Sequence, residues 1–291
     1  MTCRLCPNLC GVDRDKSYGL CLADNNIHVS YHGIHEWEEP VISGGRGSGA
    51  IFFSGCTMRC VFCQNAKISR KVTGKVYSPK ELAALFEYYD KVADNINLVS
   101  ATQYADGIIK AFSYYTPKNP VIWNTSGFET VETVRALAPY VNVWLPDLKY
   151  VDSALSRRLS GKSDYFKYAF DAISEMVRLS GKVKIENGLI KSGVIVRHLI
   201  LPSHIDNTLT VLKVFADNFK DSALLSLMAQ YVPINVESFP DINRRITPLE
   251  YKRALSALSE LNIENGFVQD LESATTAYIP DFNNCFQQKK D

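Results

Sequence analysis

From about Gly44 onward, short apolar runs alternate with longer amphipathic stretches. Ala50-Ile51-Phe52-Phe53 leads straight into Ser54-Gly55-Cys56, the pattern of a buried strand that ends in a loop. Ser78-Pro79-Lys80-Glu81 then opens a helix. Ser78 is placed to cap it, Pro79 suits the first turn and Glu81 completes a capping box, while Leu82, Leu85, Phe86 and Tyr89 follow at helical spacing. Further strands are predicted over 95–99, 121–124, 141–145, 193–201, 224–228 and 266–269. Helices are predicted over 104–114, 129–138 and 165–180, the last with Phe170, Ile173, Met176 and Val177 on one stripe. Strand–helix alternation of this kind implies an α/β fold, a parallel sheet flanked by helices in a barrel or an open sheet. Residues 1–45 read as a separate cysteine-rich segment and 46–291 as the main domain, with a frayed tail from Gln287 to Asp291.

Composition narrows the class. The 291 residues are 46% hydrophobic and 22% charged, enough to bury a core without metals or disulfides as a folding aid. Lys+Arg (32) nearly balances Asp+Glu (31), so neither a nucleic-acid partner nor an anionic membrane surface is expected. With no apolar run of spanning length and no signal-like N-terminus, a cytoplasmic location without a membrane partner is expected.

The cysteines change the picture. Of eight, Cys3, Cys6, Cys10, Cys21, Cys56, Cys60 and Cys63 lie before residue 64, and only Cys285 stands apart, as an ordinary free or buried thiol. Clustering of this kind in a reducing compartment points to metal or redox chemistry rather than to a disulfide scaffold. Cys56-x-x-x-Cys60-x-x-Cys63 sits in a loop directly after a strand. Three thiolates can ligate only three irons of a [4Fe-4S] cube, and an iron left open is useful only when an exogenous ligand fills it. A zinc site built on the same three cysteines lacks a nearby fourth ligand, since His28, His32 and His35 precede it and His198 and His204 come far later. The motif closely resembles that of radical S-adenosylmethionine (SAM) enzymes, in which the SAM amino and carboxylate groups bind the open iron. That resemblance implies one-electron cleavage of SAM to a 5′-deoxyadenosyl radical, which abstracts hydrogen from a substrate. It makes Cys56, Cys60 and Cys63 the metal-binding, catalytic set, with Phe62 packing near the adenine.

Further motifs resemble the orphan branch of pyruvate formate-lyase activating enzyme-like proteins. They are Cys3-Arg-Leu-Cys6-Pro-Asn-Leu-Cys10-Gly, Glu38-Glu39-Pro40-Val-Ile-Ser-Gly-Gly, Gly49-Ala-Ile-Phe-Phe-Ser-Gly-Cys56, Asn95-Ile-Asn-Leu-Val99, Trp123-Asn-Thr-Ser-Gly127, Leu145-Pro-Asp-Leu-Lys149 and Ile195-Val-Arg-His-Leu199. The resemblance spans nearly the whole chain and implies a partial (β/α)6 TIM-like barrel of radical SAM type, with cluster and SAM at the C-terminal ends of the strands. It implies SAM-side roles for Asn65, Asn124, Thr125, Asp147, Lys149 and Arg197. In the better-known relatives a strand-end Asp-Thr and a later Asp-x-Lys surround a monovalent cation. Here Asp147 and Lys149 match, whereas Asn124 replaces the acid, which weakens the charge compensation of any cation. The Gly-Gly-Glu that holds the SAM amino group is replaced by Ser100-Ala101-Thr102-Gln103, where Thr102 and Gln103 are neutral acceptors. A flavodoxin- or ferredoxin-type reductant is the implied electron source.

Cys3, Cys6, Cys10 and Cys21 form a second group, with four thiolates that suit either structural zinc or a fully ligated iron–sulfur cluster. The expected function is radical hydrogen abstraction, with a glycine of a partner protein as one target. A peptide or small-molecule substrate is the alternative, and a non-catalytic iron–sulfur electron carrier or sensor the rival from another class.

Overall fold

The computed structural model describes residues 2–275 and residue 282, so Cys285 and the residues from Gln287 on lie outside the described residues. In chain order the elements are β1 (Ile27–His35), β2 (Ser48–Phe53), α1 (Ala66–Ser69), β3 (Lys75–Tyr77), α2 (Pro79–Val92), β4 (Asn95–Val99) and α3 (Ala105–Phe112). There follow β5 (Val121–Thr125), α4 (Val131–Leu137), β6 (Val143–Pro146), α5 (Ser153–Ser160), α6 (Tyr165–Ser180), β7 (Lys184–Glu186) and β8 (Leu189–Leu199). The last are α7 (Ile205–Asn218), β9 (Leu224–Met228), α8 (Pro248–Glu260) and β10 (Gly266–Val268).

The strands form one mixed sheet in the order β10-β9-β8-β6-β5-β4-β2-β1-β3, with β7 hairpinned onto β8. From β2 through β10 the path is parallel, each neighbour reached through at least one helix, as parallel pairing requires. Among the described residues the ends, β3 and β10, do not pair, so the α/β sheet stays open, an arrangement consistent with a partial barrel. The chain boundary expected near residue 45 does not divide the sheet. β1 pairs antiparallel with β2 from Val29–Phe53 to His35–Ser48, so residues from Ile27 onward belong to the main body.

Period-two alternation sorts the strands onto two buried faces. Ile96, Leu98, Trp123, Trp144, Val194, Val196, Leu225 and Leu227 pack on the helix side with Phe86 of α2 and Phe215 of α7. Ile122, Val143, Leu145 and Ile195 point the other way and join Ile42 and Ile190 in a small apolar plug on the inner face. That plug sits towards the N-terminal ends of the strands. The 36–47 loop enters there after β1, with Ile190 N–H donating to the Val41 carbonyl and Asn95 Nδ2 to that of Ile42.

Helix α2 starts as expected: Ser78 Oγ accepts from Glu81 N–H at 3.2 Å and the Glu81 carboxylate accepts from Ser78 N–H at 2.8 Å. Thr247 and Glu250 repeat that box at α8. Among the described residues no helix is long and apolar enough to cross a membrane.

Candidate active site

Two residues beyond three of the plug residues, the same inner-face alternation turns polar. Ile122 is followed by Asn124, Leu145 by Asp147 and Ile195 by Arg197. These side chains, with Phe52, Val99, Ser226 and Phe267 from the other strands, line one cavity of about 550 Å3. Its upper wall is the loop after β2, with Cys56, Cys60, Phe62, Cys63 and Asn65. The sheet therefore curls around the cavity, with the cysteine loop at the strands' C-terminal ends, where sites on such sheets form.

Local rules shape the cysteine loop. Gly55 has φ +75° and lies so close to the Cys21 carbonyl that a Cβ would come within 2.5 Å of it. Cys56 N–H donates to that same carbonyl at 3.2 Å, and Val61 N–H to the Leu159 carbonyl at 2.8 Å. Each of the three sulfurs receives a hydrogen bond: from Met58 N–H to Cys56 Sγ at 3.4 Å, from Ser160 Oγ to Cys60 Sγ at 3.0 Å and from Ser69 Oγ to Cys63 Sγ at 3.3 Å. Burial and the neighbouring sulfurs push the Cys63 thiol up to about 12, and burial raises Cys60 as well. Thiolates that raise their neighbours in this way at Cys60 and Cys63 favour a cationic centre, which iron would supply.

Among the described residues no three metal-ligating side chains are gathered tightly enough to hold a metal ion. The donor set of Cys56, Cys60 and Cys63, its hydrogen-bonded sulfurs and its place on the cavity wall fit a [4Fe-4S] cluster.

Opposite the cysteine loop lies a charged floor. Arg197 donates through Nε to Asp147 Oδ1 at 3.0 Å and through Nη2 to Asn124 Oδ1 at 2.6 Å, while Lys149 Nζ pairs with Asp147 Oδ2. Burial opposes the charge on Asp147, yet Lys149 and Arg197 hold its carboxyl below the usual range. With the Asp147 oxygens and Asn124 Oδ1 engaged by the chain's own cations, a monovalent cation there would meet two positive side chains. Arg197 occupies the electrostatic place expected for it.

The structure separates Thr102 and Gln103 from this cavity. The backbone turns after β4 at Ser100 (φ +57°) and a short 3-10 helix carries residues 102–104 inward. Thr102 Oγ1 donates to Glu129 Oε1 at 2.6 Å, and Gln103 Nε2 donates to the carbonyls of Ser54 and Ser100 at 2.9 and 2.7 Å. Thr125 lines the cavity, but its hydroxyl donates to Glu129 as well, at 2.6 Å, and Trp123 Nε1 does so at 3.2 Å. Glu129 was not singled out from the sequence. It is a fully buried carboxyl that ties the ends of β4 and β5 together, and burial raises its pKa.

Cys6 and Cys21 are buried, Cys3 and Cys10 half-buried. A Cβ on Gly19 would lie 3.1 Å from Cys21 Sγ and 3.7 Å from Cys10 Sγ, so these two sulfurs converge on one glycine. Burial pushes Cys6 up to about 12, whereas at Cys10 backbone N–H groups of Val12 and Leu20 outweigh burial and lower the thiol. The four are not closed around an ion. The segment nonetheless braces the cysteine loop, since Asn8 Nδ2 donates to the Thr57 carbonyl at 2.9 Å.

Comparison with known proteins gives the class. The Radical SAM superfamily pattern matches residues 50–209, which takes in the cysteine loop and the strands β2 to β8. The chain belongs to the radical SAM superfamily and is an enzyme that cleaves SAM at an iron–sulfur cluster. It is 33% identical over 276 residues to the uncharacterized protein MJ0674 of Methanocaldococcus jannaschii, across 90% of this chain and 75% of that one. Among solved structures it shares its fold with methylornithine synthase (PylB), at 14% identity and a TM-score of 0.50 over 76% of this chain and 70% of that chain. A domain of pyruvate-formate lyase-activating enzyme from Bacteroides vulgatus matches more loosely, at 10% identity and a TM-score of 0.39 over 57% of this chain and 89% of that one.

Proposed function

We propose that this enzyme abstracts hydrogen from a small molecule or a short peptide segment held in the cavity between the cysteine loop and the Asp147–Arg197 floor. The supporting observation is the cavity itself: about 550 Å3, within the range of small-ligand sites, with the sulfurs on one wall and fixed charges on the other. When bound, the cluster and SAM would supply a 5′-deoxyadenosyl radical. The chain's own part is to seat and shield the reactants: Cys56, Cys60 and Cys63 hold the cluster, Phe62 and Asn65 lie beside it, and Asn124, Thr125, Asp147, Lys149 and Arg197 orient polar groups of SAM or substrate. A flavodoxin- or ferredoxin-type reductant supplies the electron.

The activating-enzyme motifs support a second reading, in which the target is a glycine of a partner protein. The observation that favours it is Trp37, 65% exposed on the cavity rim, where an aromatic ring suits a protein contact. A second metal at Cys3, Cys6, Cys10 and Cys21, zinc or iron–sulfur, is proposed on their number and spacing alone, with a partial (β/α)6 barrel as the host.

Anaerobic reconstitution with iron and sulfide, reduction with dithionite and chromatography after addition of SAM test the proposal. Formation of 5′-deoxyadenosine that vanishes in Cys56→Ala is expected. A reduced cluster that neither binds nor cleaves SAM would overturn it. Zinc and iron counts in wild type and in Cys3→Ala test the N-terminal site.

A further inference from the structure

The floor of the cavity holds a surplus of acceptors. Glu38 and Glu39 enter it side by side from the loop after β1. Glu38 is engaged: its Oε1 accepts from Asn97 Nδ2 at 3.0 Å, and its Oε2 faces Arg197 Nη1 at 3.8 Å. Glu39 is not engaged in the same way. Its residue is only 9% exposed and lines the cavity, yet its Oε2 is buried with no hydrogen-bond partner among the described residues. Asn97, fully buried beside Glu38, has a second orphan acceptor, Oδ1.

Buried acceptors without donors are costly, and a native chain retains them where a ligand brings the donor. The charge balance points the same way. Glu36, Glu38, Glu39 and Asp147 line the cavity against only Lys149 and Arg197, in a chain whose overall charge is near zero. His35 also lines it, but burial lowers its pKa and keeps it neutral near pH 7. Lys149 and Arg197 pair most closely with Asp147, and although Arg197 also offsets Glu38 and Glu39, it makes no ion pair within 4 Å of Glu39.

We infer that Glu39, supported by Asn97, is the substrate-recognition acid of this cavity and that it receives an ammonium group, so that the substrate is a primary amine or carries one beside its reacting carbon. The inference rests on the proposed reading that the cavity admits the substrate. A bare divalent cation fits less well, because Mg2+ or Ca2+ needs six or more oxygens and the orphan oxygens of the cavity-lining residues are only Glu39 Oε2 and Gln269 Oε1, with Arg197 nearby. An ammonium needs few acceptors and gains from each charge-assisted bond. A carboxylate-bearing substrate would instead place like charges together beside Glu38 and Glu39.

The test uses three fragments of matched shape, n-butylammonium, butan-1-ol and butyrate, titrated by saturation-transfer NMR into the full-length chain reconstituted with cluster and SAM. Butylammonium is expected to bind the wild type about tenfold or more tightly than either analogue, the factor a hydrogen bond to a charged group confers. Glu39→Gln is expected to erase that preference, with thermal melting as the check that it folds. If it does not fold, the selectivity of the wild type decides alone. Equal or better binding of butanol or butyrate, no binding of butylammonium, or a preference that survives in a folded Glu39→Gln overturns the inference. Assaying 5′-deoxyadenosine in the same wild-type sample keeps the two ideas apart. SAM cleavage without amine selectivity sinks only the amine assignment. Selectivity without cleavage sinks the reaction.

Discussion

Arg197 on β8 and Asp147 at the end of β6 face each other across adjacent strands, Nε to Oδ1 at 3.0 Å, with their backbones joined as an isolated bridge. The guanidinium also reaches Asn124 at the end of β5, so one side chain ties three strand ends together beneath the cysteine loop. Burial opposes its charge, but Asp147, Glu39 and Glu38 more than compensate and raise its pKa. The pair is thus a fixed electrostatic floor rather than a surface ornament of the kind that contributes little.

Removing the guanidinium should therefore be expensive. Arg197→Met leaves Glu38 and Glu39 without a cation, and breaking a buried pair typically costs about 3–5 kcal/mol. Arg197→Lys keeps the charge but loses the planar fork that reaches both Asp147 and Asn124, so a smaller loss is expected. Urea unfolding of the two variants measures this. A methionine variant as stable as wild type would mean that the network is not stabilising.

Ser160 should tune the cluster. Its hydroxyl proton points to Cys60 Sγ at 3.0 Å, so its oxygen accepts from Tyr150 O–H at 2.9 Å. Hydrogen bonds to ligand sulfur stabilise the reduced cluster, and Ser160→Ala is expected to shift the reduction potential to a more negative value. It also strands the fully buried Tyr150 hydroxyl, a cost of about 1–3 kcal/mol. An electron-paramagnetic redox titration reads the potential. An unchanged midpoint would remove Ser160 from the tuning role.

Much of this arrangement was legible in the chain. The motifs shared with activating-enzyme-like proteins marked Asn124, Asp147 and Arg197, and the Ser78–Glu81 box marked α2. Other features were silent for physical reasons. β1 reads Ile-His-Val-Ser-Tyr-His-Gly-Ile-His, too polar for a buried strand, and only pairing with β2 explains it. Helix α8 opens with the Thr247–Glu250 version of the same capping box, a signal present in the sequence. Of the donors to Glu129, Thr125 and Trp123 lie four and six residues away, but Thr102 lies 27 away. Thr102 reaches Glu129 only when β4 and β5 align, and the same alignment turns Thr102 away from the cavity.

Gly127 in the Trp123–Gly127 motif should not tolerate a side chain. Its φ is +77° and a Cβ would stand 2.3 Å from the Asp147 carbonyl oxygen. Gly127→Ala combines the left-handed penalty of about 1 kcal/mol with displacement of the strand end that carries Asp147. A loss of about 2–4 kcal/mol in chemical denaturation is expected, together with weaker SAM binding. A variant within about 0.5 kcal/mol of wild type would show that the β6 end can move freely.

His198, next to Arg197 but facing the helices, sets a pH limit on stability. The ring is fully buried, with Nδ1 2.7 Å from the Leu148 carbonyl and Nε2 3.0 Å from Thr208 Oγ1. A proton on Nδ1 donates to that carbonyl, which leaves Nε2 to accept from Thr208, so the neutral ring satisfies both contacts. Burial, with Lys149 nearby, lowers its pKa from 6.5 to about 4. The unfolded chain therefore binds the proton first, and as pH falls from about 6.5 towards 4 the folded state loses stability, by about 3 kcal/mol in total at 1.36 kcal/mol per unit. Above pH 6.5 this contribution is constant. His198→Gln should be less stable near neutrality, having lost one of the two ring contacts, yet its stability should fall less steeply across that window. Urea midpoints measured at pH 7, 6, 5 and about 4 on both proteins give the comparison. Parallel curves would mean that His198 is protonated in the folded protein as readily as in the unfolded chain, and that the acid sensitivity arises elsewhere.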